Sequence, residues 1–243
     1  MKEIRYFYVP GASSSCELPE EEAKHAIRVL RLQSGDRMVL VDGEGRKFDA
    51  EVSVSSGKHC MYNILEEIKC EKEWRGRVTL AIAPTKMMDR IEWLAEKATE
   101  IGFDEIDFVD CKFSERKSLR ADRIERIVVS AMKQSHKACK PCVADMVPFE
   151  KFIQTQRDGY KFIAHCYDEI ERMDLFDQLR SVPVDEPVTI MVGPEGDFSI
   201  DEVHMAIAHG FVPVSLGRCR LRTETAGLSA VMMASLCKRQ KID

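Results

Sequence analysis

The stretch from Val188 to Ser199 reads VTIMVGPEGDFS, and it decides the fold class of this 243-residue chain. An apolar, β-branched run typical of a buried strand leads into Gly-Pro-Glu-Gly. Ser199 with Glu202 then forms the capping-box pattern that starts a helix. A strand, a glycine-containing turn and a helix in this order indicate a parallel sheet, which binds ligands at the carboxyl ends of its strands. The turn is therefore a candidate ligand loop, in which Gly193 and Gly196 would let a ligand approach the backbone. The alternative is a tight structural turn.

A second stretch, LGRCRLRTETA from Leu216 to Ala226, repeats this arrangement. Gly217 follows a strand, and a helix is predicted to begin near Thr223, which we expect to cap it. Arginines stand at every second position between them, at 218, 220 and 222. Unpaired buried charges are costly, so these side chains face solvent, pair with acids such as Glu195 or Glu224, or meet an anionic substrate. Two such similar loops predict one site built from both.

Around these loops the chain divides into two predicted domains, 1–72 and 73–243. The first is β-rich and indicates a small β-barrel, with strands predicted at 4–9, 37–42, 47–54 and 62–68 and one helix at 20–32. In the third of these strands the residues alternate, with Phe48, Ala50, Val52 and Val54 on one face. The second alternates strands and helices, which predicts an α/β fold with a mostly parallel sheet and helices on both faces. Its strands are predicted at 78–83, 106–109, 162–165, 188–192 and 212–216, and its helices at 87–102, 122–137, 199–209 and 223–238.

The overall composition excludes several classes of protein. The chain has 36 Lys and Arg against 41 Asp and Glu, a net charge of −5, so it is not a generally basic RNA-coating protein. No apolar run approaches the length of a membrane-spanning helix, and the charged start has no signal-peptide core. Nine scattered cysteines indicate reduced thiols. We therefore expect a cytoplasmic protein with no membrane partner.

Positive charge is concentrated in two segments. Residues 112–140 carry nine basic against three acidic residues, and residues 213–243 carry six against two, so the rest of the chain carries −15. On the predicted helix, Arg123, Arg126, Lys133 and Lys137 fall on one face, a pattern that suits a phosphate backbone. A solvated helix face is the alternative. Arg28 and Arg31 form a shorter cluster on the helix predicted in the first domain.

Other sites find little support in the motifs. The chain contains neither a P-loop nor a G-x-G-x-x-G dinucleotide loop. His136, Cys139 and Cys142 have metal-ligand spacing, but a fourth ligand and a second pair are missing, so no metal is expected. The C-x-x-C pair does not follow a strand, as a thioredoxin-like redox site requires. His165-Cys166 at a strand end leaves a Cys/His nucleophile as a further alternative.

Several segments, in this order and spacing, resemble the RsmE-type 16S ribosomal RNA methyltransferases of the SPOUT class. The strongest are GPEGDFS at 193–199 and LGRCRLRTETAG at 216–227. The others are Arg5-Tyr6-Phe7, HAIRVLRLQSGD at 25–36, KMMDRIEWLAEKATEIG at 86–102 with Ser114-Glu115-Arg116, and AMKQSHKACKP at 131–141. The match thus covers most of the chain.

The resemblance implies a SPOUT domain with a carboxyl-terminal trefoil knot, preceded by a PUA-like β-barrel domain that binds RNA. It implies methylation of N3 of one uridine in 16S rRNA, in the assembled or assembling small subunit, by a homodimer using S-adenosylmethionine. The implied donor-binding residues are Val192, Gly193, Pro194, Glu195, Gly196, Leu216, Gly217, Arg220, Leu221 and Thr223. The implied RNA-binding residues are Arg5, Arg28, Arg31, Lys86, Arg116, Arg123, Lys133, Gln134 and Lys137.

The chemistry of N3 methylation suggests the catalytic roles. A carboxylate or a positioned water can take the N3 proton, and a cation can stabilise the uridine anion. We expect Arg222 to be that cation, with Glu224 or Glu195 as proton acceptor or as partner of that arginine. The chain departs from the family where Asp197 replaces a common glycine and where the first arginine after Gly217 is displaced by one position. The alternatives are a SPOUT enzyme acting on tRNA, a non-catalytic RNA-binding module, and a zinc or thiol-redox protein.

Overall fold

The structure is a computed structural model that describes residues 5–239. The chain forms two compact units. The first comprises the residues up to Lys72 together with Val129–Lys140, and the second comprises Glu73–Val128 and the residues from Pro141 onward. The sequence placed one boundary at residue 72 and did not assign Val129–Lys140 to the first unit. This segment packs there through contacts such as Gly45 N–H donating to Ala138 O at 3.1 Å.

The first unit contains a four-stranded sheet and one short helix. Its elements are β1 (Arg5–Tyr8), α1 (Glu20–Lys24), β2 (Arg37–Val41), β3 (Arg46–Ser56) and β4 (His59–Lys69). The sheet order is β1-β2-β3-β4, with β1 parallel to β2 and the other neighbours antiparallel. Phe7, Leu40, Phe48 and Tyr62 are buried in its core. Ile4, which the sequence predicted to begin β1, lies outside the described residues.

Two details of this unit differ from prediction. The helix predicted at 20–32 is α1 followed by a wider π-helical turn over His25–Val29, and Arg31 has a left-handed φ of 56°. Arg31 is therefore beyond the helix, although it remains exposed. Val54 was expected to share the buried face of β3, but a register shift between Val52 and Val54 places it outward, 47% exposed.

The second unit is a parallel α/β domain. Its strands are β5 (Val78–Ile82), β6 (Glu105–Asp110), β7 (Cys142–Val143), β8 (Val147–Pro148), β9 (Tyr160–Ala164), β10 (Met173–Asp174), β11 (Val188–Val192) and β12 (Phe211–Ser215). The sheet order is β10-β12-β9-β11-β5-β6-β7, with β8 also paired to β6, and every pairing is parallel. The predicted α/β class is confirmed.

Helices cover both faces of this sheet. They are α2 (Met88–Ile101), α3 (Ala121–Gln134), α4 (Phe149–Gln154), α5 (Leu175–Ser181), α6 (Ile200–Ala208) and α7 (Thr223–Lys238). Because successive strand residues point to opposite faces, Leu80 and Ile82 join the core beneath α2, α5 and α7, whereas Ala81 joins the core with α4 and α6. Burying both faces explains why these strands are continuously apolar.

Helix α3 ends earlier than predicted. It stops at Gln134, and His136 adopts a left-handed φ of 57°, so Lys137 lies outside the helix. The sequence also missed β7, β8, β10, α4 and α5. Two-residue strands show no alternation, and helices of six or seven residues complete at most two turns, so neither produces a readable period.

The described residues add three facts about sites. No helix within 5–239 is long and apolar enough to cross a membrane. No cluster of three His, Cys, Asp or Glu side chains in that part of the chain could hold a metal ion. All nine cysteines are free.

Candidate functional site

A cavity of about 350 Å³ opens at the carboxyl edge of the sheet in the second unit. Three neighbouring parallel strands, β12, β9 and β11, end at this edge, and the loops that follow them form its walls. This is the place where an open α/β sheet binds its ligand, since the loops diverge there and leave a crevice. Its volume lies within the usual range of small-molecule sites.

Most of the predicted donor-binding residues line this cavity. The lining residues among them are Val192, Gly193, Pro194, Glu195, Leu216, Gly217, Arg220, Leu221 and Thr223, and Arg222 joins them. Gly196 and Glu224 are not part of its wall. The two loops singled out from the sequence thus meet at one cavity. The chemical role of each residue stays a prediction.

The glycines of the β11 loop serve internal packing. A Cβ on Gly193 would lie 3.0 Å from Phe198 N, and a Cβ on Gly196 would lie 3.1 Å from Phe113 Cβ. The sequence interpretation was that these glycines let a ligand approach, but the space they leave is filled by the protein. Gly217 differs, because its φ of 118° requires glycine while nothing lies within 4 Å of the missing Cβ.

Asp197 has a left-handed φ of 66°, which explains why a glycine suits this position. Its carboxylate accepts hydrogen bonds from Phe198 N–H and from Cys166 N–H, both at 2.8 Å. Asp197 therefore ties the β11 loop to the β9 loop while also lining the cavity. From the sequence, Asp197 was recognisable only as a replacement for a glycine common in the family, and its hydrogen bonds were not predicted.

The β9 loop is a third wall that sequence reasoning missed as part of this site. His165, Cys166 and Arg172 all line the cavity. The only available signal was His165-Cys166 at a strand end, and the position of β9 between β11 and β12 could not be read from the sequence. Arg172 fixes this loop by donating to His165 O and to Asp168 Oδ1, each at 2.9 Å.

The electrostatics of the β9 loop argue against the Cys/His nucleophile. Burial and the neighbouring Asp197 carboxylate raise the pKa of the Cys166 thiol, which disfavours the reactive thiolate. Burial lowers the pKa of His165, so its imidazole is neutral at pH 7. Nδ1 of that ring accepts from Tyr167 N–H at 3.2 Å, so His165 helps to order its own loop.

Charged side chains gather near the start of α7. Arg222 is the residue that caps this helix, not Thr223 as predicted, because Thr223 already has helical geometry. Glu224 is buried and lies 3.8 Å from Nε of Arg90, a cavity-lining residue that the sequence analysis did not select. The other carboxylate, Glu195, is exposed and accepts from Lys86 N–H at 2.9 Å.

The predicted RNA-binding residues fall into two groups. Arg123 pairs with Glu92 at 2.7 Å, Lys133 pairs with Glu22, and Lys86 pairs with Glu115 at 2.7 Å. Arg116 donates to the backbone carbonyls of Thr85 and Lys86. The exposed members are Arg5, Arg28, Arg31, Lys86, Arg123 and Gln134, whereas Arg116, Lys133 and Lys137 are half-buried.

The proposed basic stripe on α3 is therefore weaker than its sequence suggested. Arg126 also pairs with Asp122, at 2.9 Å, one turn earlier on the same helix. Acids distant in sequence, such as Glu92 and Glu22, could not be identified as partners from helical spacing. The positive charge available to a ligand is correspondingly smaller than the count over residues 112–140.

The site combines a cavity lined by apolar and backbone groups with arginines near its opening. Val192, Leu216 and Leu221 supply apolar surface, while Arg220 and Arg222 are exposed. A second, wider cavity of about 750 Å³ shares Arg220 with the first. This arrangement suits an uncharged ring system inside the first cavity and an anionic substrate beside it.

Comparison with known domain families gives two matches. A family described as an RNA methyltransferase domain matches residues 72–235, and an RNA methyltransferase PUA domain matches residues 18–60. The first match covers more than half of the chain.

Known proteins of similar sequence and structure agree with these matches. The chain is similar to a probable rRNA-methyltransferase from Porphyromonas gingivalis, with 43% identity, a TM-score of 0.88 and coverage of 97% of this chain and 98% of that one. It is similar to a ribosomal RNA small subunit methyltransferase E from Neisseria gonorrhoeae bound to S-adenosyl methionine, with 26% identity, a TM-score of 0.81 and coverage of 94% and 95%. A Synechocystis protein with the same enzyme name is 31% identical over 82% of this chain and 65% of its own length.

Proposed function

The chain belongs to the RNA methyltransferase family, and from this premise we propose that it methylates RNA of the small ribosomal subunit with S-adenosylmethionine as the methyl donor. The observation that carries this proposal is the cavity at the edge of β9, β11 and β12, where the two predicted loops meet. The Neisseria relative binds the same donor and covers almost the whole chain.

The cavity fits such a donor by its chemistry. An adenosine needs apolar surface and backbone hydrogen-bonding groups but no phosphate cradle, and this chain has neither a P-loop nor a dinucleotide loop. The loops after Val192 and Leu216 supply both kinds of group. We propose that they hold the adenine and ribose, and that Asp197 keeps the loops of β11 and β9 together around them.

We further propose N3 of a uridine as the acceptor atom. S-adenosylmethionine supplies a methyl group activated by its sulfonium. A bond forms between uridine N3 and the methyl carbon, the sulfur–methyl bond breaks, and the N3 proton leaves to a base. We propose that Arg222, which lines the cavity and is exposed, stabilises the uridine anion. The uracil ring must also leave its stack in the RNA to reach the cavity.

The two candidate carboxylates have different positions. Glu195 lines the cavity and is exposed, so it is the one we propose as proton acceptor. Glu224 lies behind Arg90, and we propose that it positions this arginine at the cavity wall. Glu195→Gln should therefore reduce the rate constant for methyl transfer, whereas Glu224→Gln should act mainly on substrate or donor affinity.

The test of the proposed function uses purified small subunits from a methylation-deficient strain and a labelled methyl donor. We expect the wild type to transfer methyl groups to the rRNA and Arg222→Ala to lose at least about tenfold in rate. Arg180→Ala is the control, because Arg180 is an exposed arginine on α5 that lines neither cavity. Undiminished transfer by Arg222→Ala would remove the role assigned to that residue.

Donor binding separates an enzyme from a non-catalytic RNA-binding module. We expect S-adenosylmethionine to bind the wild type in calorimetry, since the cavity is preformed. Methylation of tRNA in place of rRNA would instead support the other SPOUT alternative. The RNA-contacting residues in this proposal are the exposed Arg5, Arg28, Arg31, Lys86 and Gln134, together with Lys137.

The proposal includes a homodimer with α7 in its interface. Met232 and Leu236 on α7 are 42% and 50% exposed and lie one turn apart, and Trp93 on the neighbouring α2 is 44% exposed. Exposed apolar side chains on two helices that contact each other are typical of a surface that a partner covers. A second copy of this chain is the proposed occupant.

The trefoil knot and the cytoplasmic location also remain proposals. In support of the knot, α7 follows the loop after β12 but packs against α2 and β5 from the beginning of the same unit. Arg75 N–H donates to Lys238 O at 3.0 Å, which joins the two ends of this unit. A ribosomal substrate would place the reaction in the cytoplasm.

A further inference from the structure

The first unit carries an exposed aromatic stack that the proposed donor chemistry does not use. The rings of Tyr6 and His136 lie nearly parallel, at 9°, with their centroids 4.2 Å apart. Both residues belong to this unit, Tyr6 half-buried on β1 and His136 exposed just beyond α3. Tyr6 lies against one face of the imidazole, and His136 as a residue is exposed.

The backbone at His136 does not explain the imidazole. The end of α3 is closed by His136 N–H donating to Lys133 O and Lys137 N–H donating to Met132 O, at 3.2 and 3.0 Å. This closure needs the left-handed φ of 57°, which glycine or asparagine adopts at lower cost than histidine. Histidine at this position therefore costs conformational free energy, which indicates that its ring has a function.

Charged groups of both signs lie near the stack. Lys47 Nζ lies 5.7 Å from the centroid of the Tyr6 ring. Burial and Asp49 raise the pKa of Tyr6, so the phenol stays neutral. Residues 129–140 contain three lysines and no acid, and one of these lysines, Lys133, pairs with Glu22. An aromatic face supported by a neighbouring cation is a combination that binds single-stranded nucleic acid, since the base stacks while the phosphate is attracted.

We propose that His136, supported by Tyr6, is a stacking platform for an unpaired nucleobase of the RNA substrate. The inference rests on the proposed function, to which it adds a subsite in the first unit. Stacking on an aromatic face accepts any base, so the platform would hold a single-stranded segment without reading its sequence.

The experiment uses a short single-stranded oligouridine containing one 2-aminopurine, titrated with the full chain. His136→Asn removes the ring but suits the left-handed backbone, and we expect about tenfold weaker binding and loss of the stacking-dependent fluorescence quenching. His136→Phe should restore both. The matched control is His204→Asn, an exposed histidine on α6 of the second unit, which should bind like the wild type. The unfolding midpoint of His136→Asn should stay close to that of the wild type, because the relief of backbone strain offsets the lost ring contact with Tyr6.

Three outcomes distinguish failure of the stacking platform from failure of the proposed methyltransferase function. If the wild type methylates small-subunit rRNA while His136→Asn binds and quenches the oligonucleotide normally, the platform is overturned and the function stands. If His136→Asn keeps its RNA affinity but binds protein-containing subunits more weakly, the stack contacts a protein and the proposal is also overturned. A wild type that neither binds RNA nor transfers methyl groups overturns the proposed function itself.

Discussion

At the residue scale, the cavity depends on a side chain that stands where glycine would relieve strain. Asp197 adopts a left-handed conformation and uses its carboxylate to join Phe198 and Cys166. Asp and Asn tolerate this conformation better than other side chains, which makes the position compatible with a hydrogen-bonding role. The sequence revealed the substitution but could not reveal the partner, because Cys166 is 31 residues away along the chain.

Replacing Asp197 by glycine tests this role. Asp197→Gly removes the bond to the β9 loop while keeping a suitable backbone, so the relief of strain, about 1 kcal/mol, offsets part of the lost hydrogen bonding. We expect a small change in melting temperature and about tenfold weaker binding of S-adenosylmethionine by calorimetry. Asp201→Asn, at an exposed carboxylate on α6, is the control. Unchanged donor affinity in Asp197→Gly would show that the two loops hold together without the carboxylate.

Asp107 on β6 predicts a pH dependence of stability. Burial raises its pKa from 3.8 to about 6, although Arg157 at 3.1 Å opposes the shift. Because the folded state binds the proton more tightly, this group's stabilisation is present below pH 3.8 and is lost as the pH rises through about 6, roughly 3 kcal/mol in total. Urea unfolding of Asp107→Asn between pH 4 and 7 should lack this decline. A variant with the same slope as the wild type would contradict it.

At the element scale, prediction succeeded where a segment carries its own period or cap. The strands β5, β6 and β11 and the helices α2, α6 and α7 lie where their apolar patterns placed them. The order of strands was not predictable, because parallel pairing depends on contacts between distant segments. That order brings β9 between β11 and β12 and so makes its loop a wall of the candidate site. The ion pairs of Arg123 with Glu92 and of Lys133 with Glu22 were not predictable for the same reason.

The capping box of α6 gives a prediction for a single element. Glu202 accepts from Ser199 N–H at 2.7 Å and from Lys112 N–H at 2.8 Å, and it is buried. Glu202→Ala leaves both donors without this partner, so we expect a loss of about 2 to 3 kcal/mol in unfolding free energy. Asp201→Asn in the same turn should change it by less than about 0.5 kcal/mol. Equal effects of the two substitutions would show that the box does not hold this helix.

At the scale of the whole molecule, the net charge of −5 conceals an uneven distribution. The sequence counts assigned a strong positive charge to residues 112–140, but ion pairs within the protein neutralise much of it. The exposed cations that remain are scattered over both units. We therefore expect affinity for RNA to depend on a few contacts, with the acidic remainder limiting non-specific binding.

The proposed dimer predicts a change in mass on mutation of α7. Leu236→Glu places a charge on the exposed apolar face of this helix, where burial in an interface would be costly. We expect the wild type to have twice the chain mass in light scattering and the variant to dissociate at low concentration. Ile207→Glu, at an equally apolar but separate exposed site on α6, should leave the mass unchanged. A monomeric wild type would contradict the proposed homodimer.

We expect this chain to place a methyl group on N3 of one uridine in small-subunit rRNA. The most direct measurement treats small subunits from a methylation-deficient strain with the protein and a labelled donor, digests the rRNA and maps the modified nucleotide by mass spectrometry. We expect label in a single uridine, with the added methyl on N3, where it blocks the Watson–Crick edge. Label on another atom, in many nucleotides or in tRNA alone would contradict it.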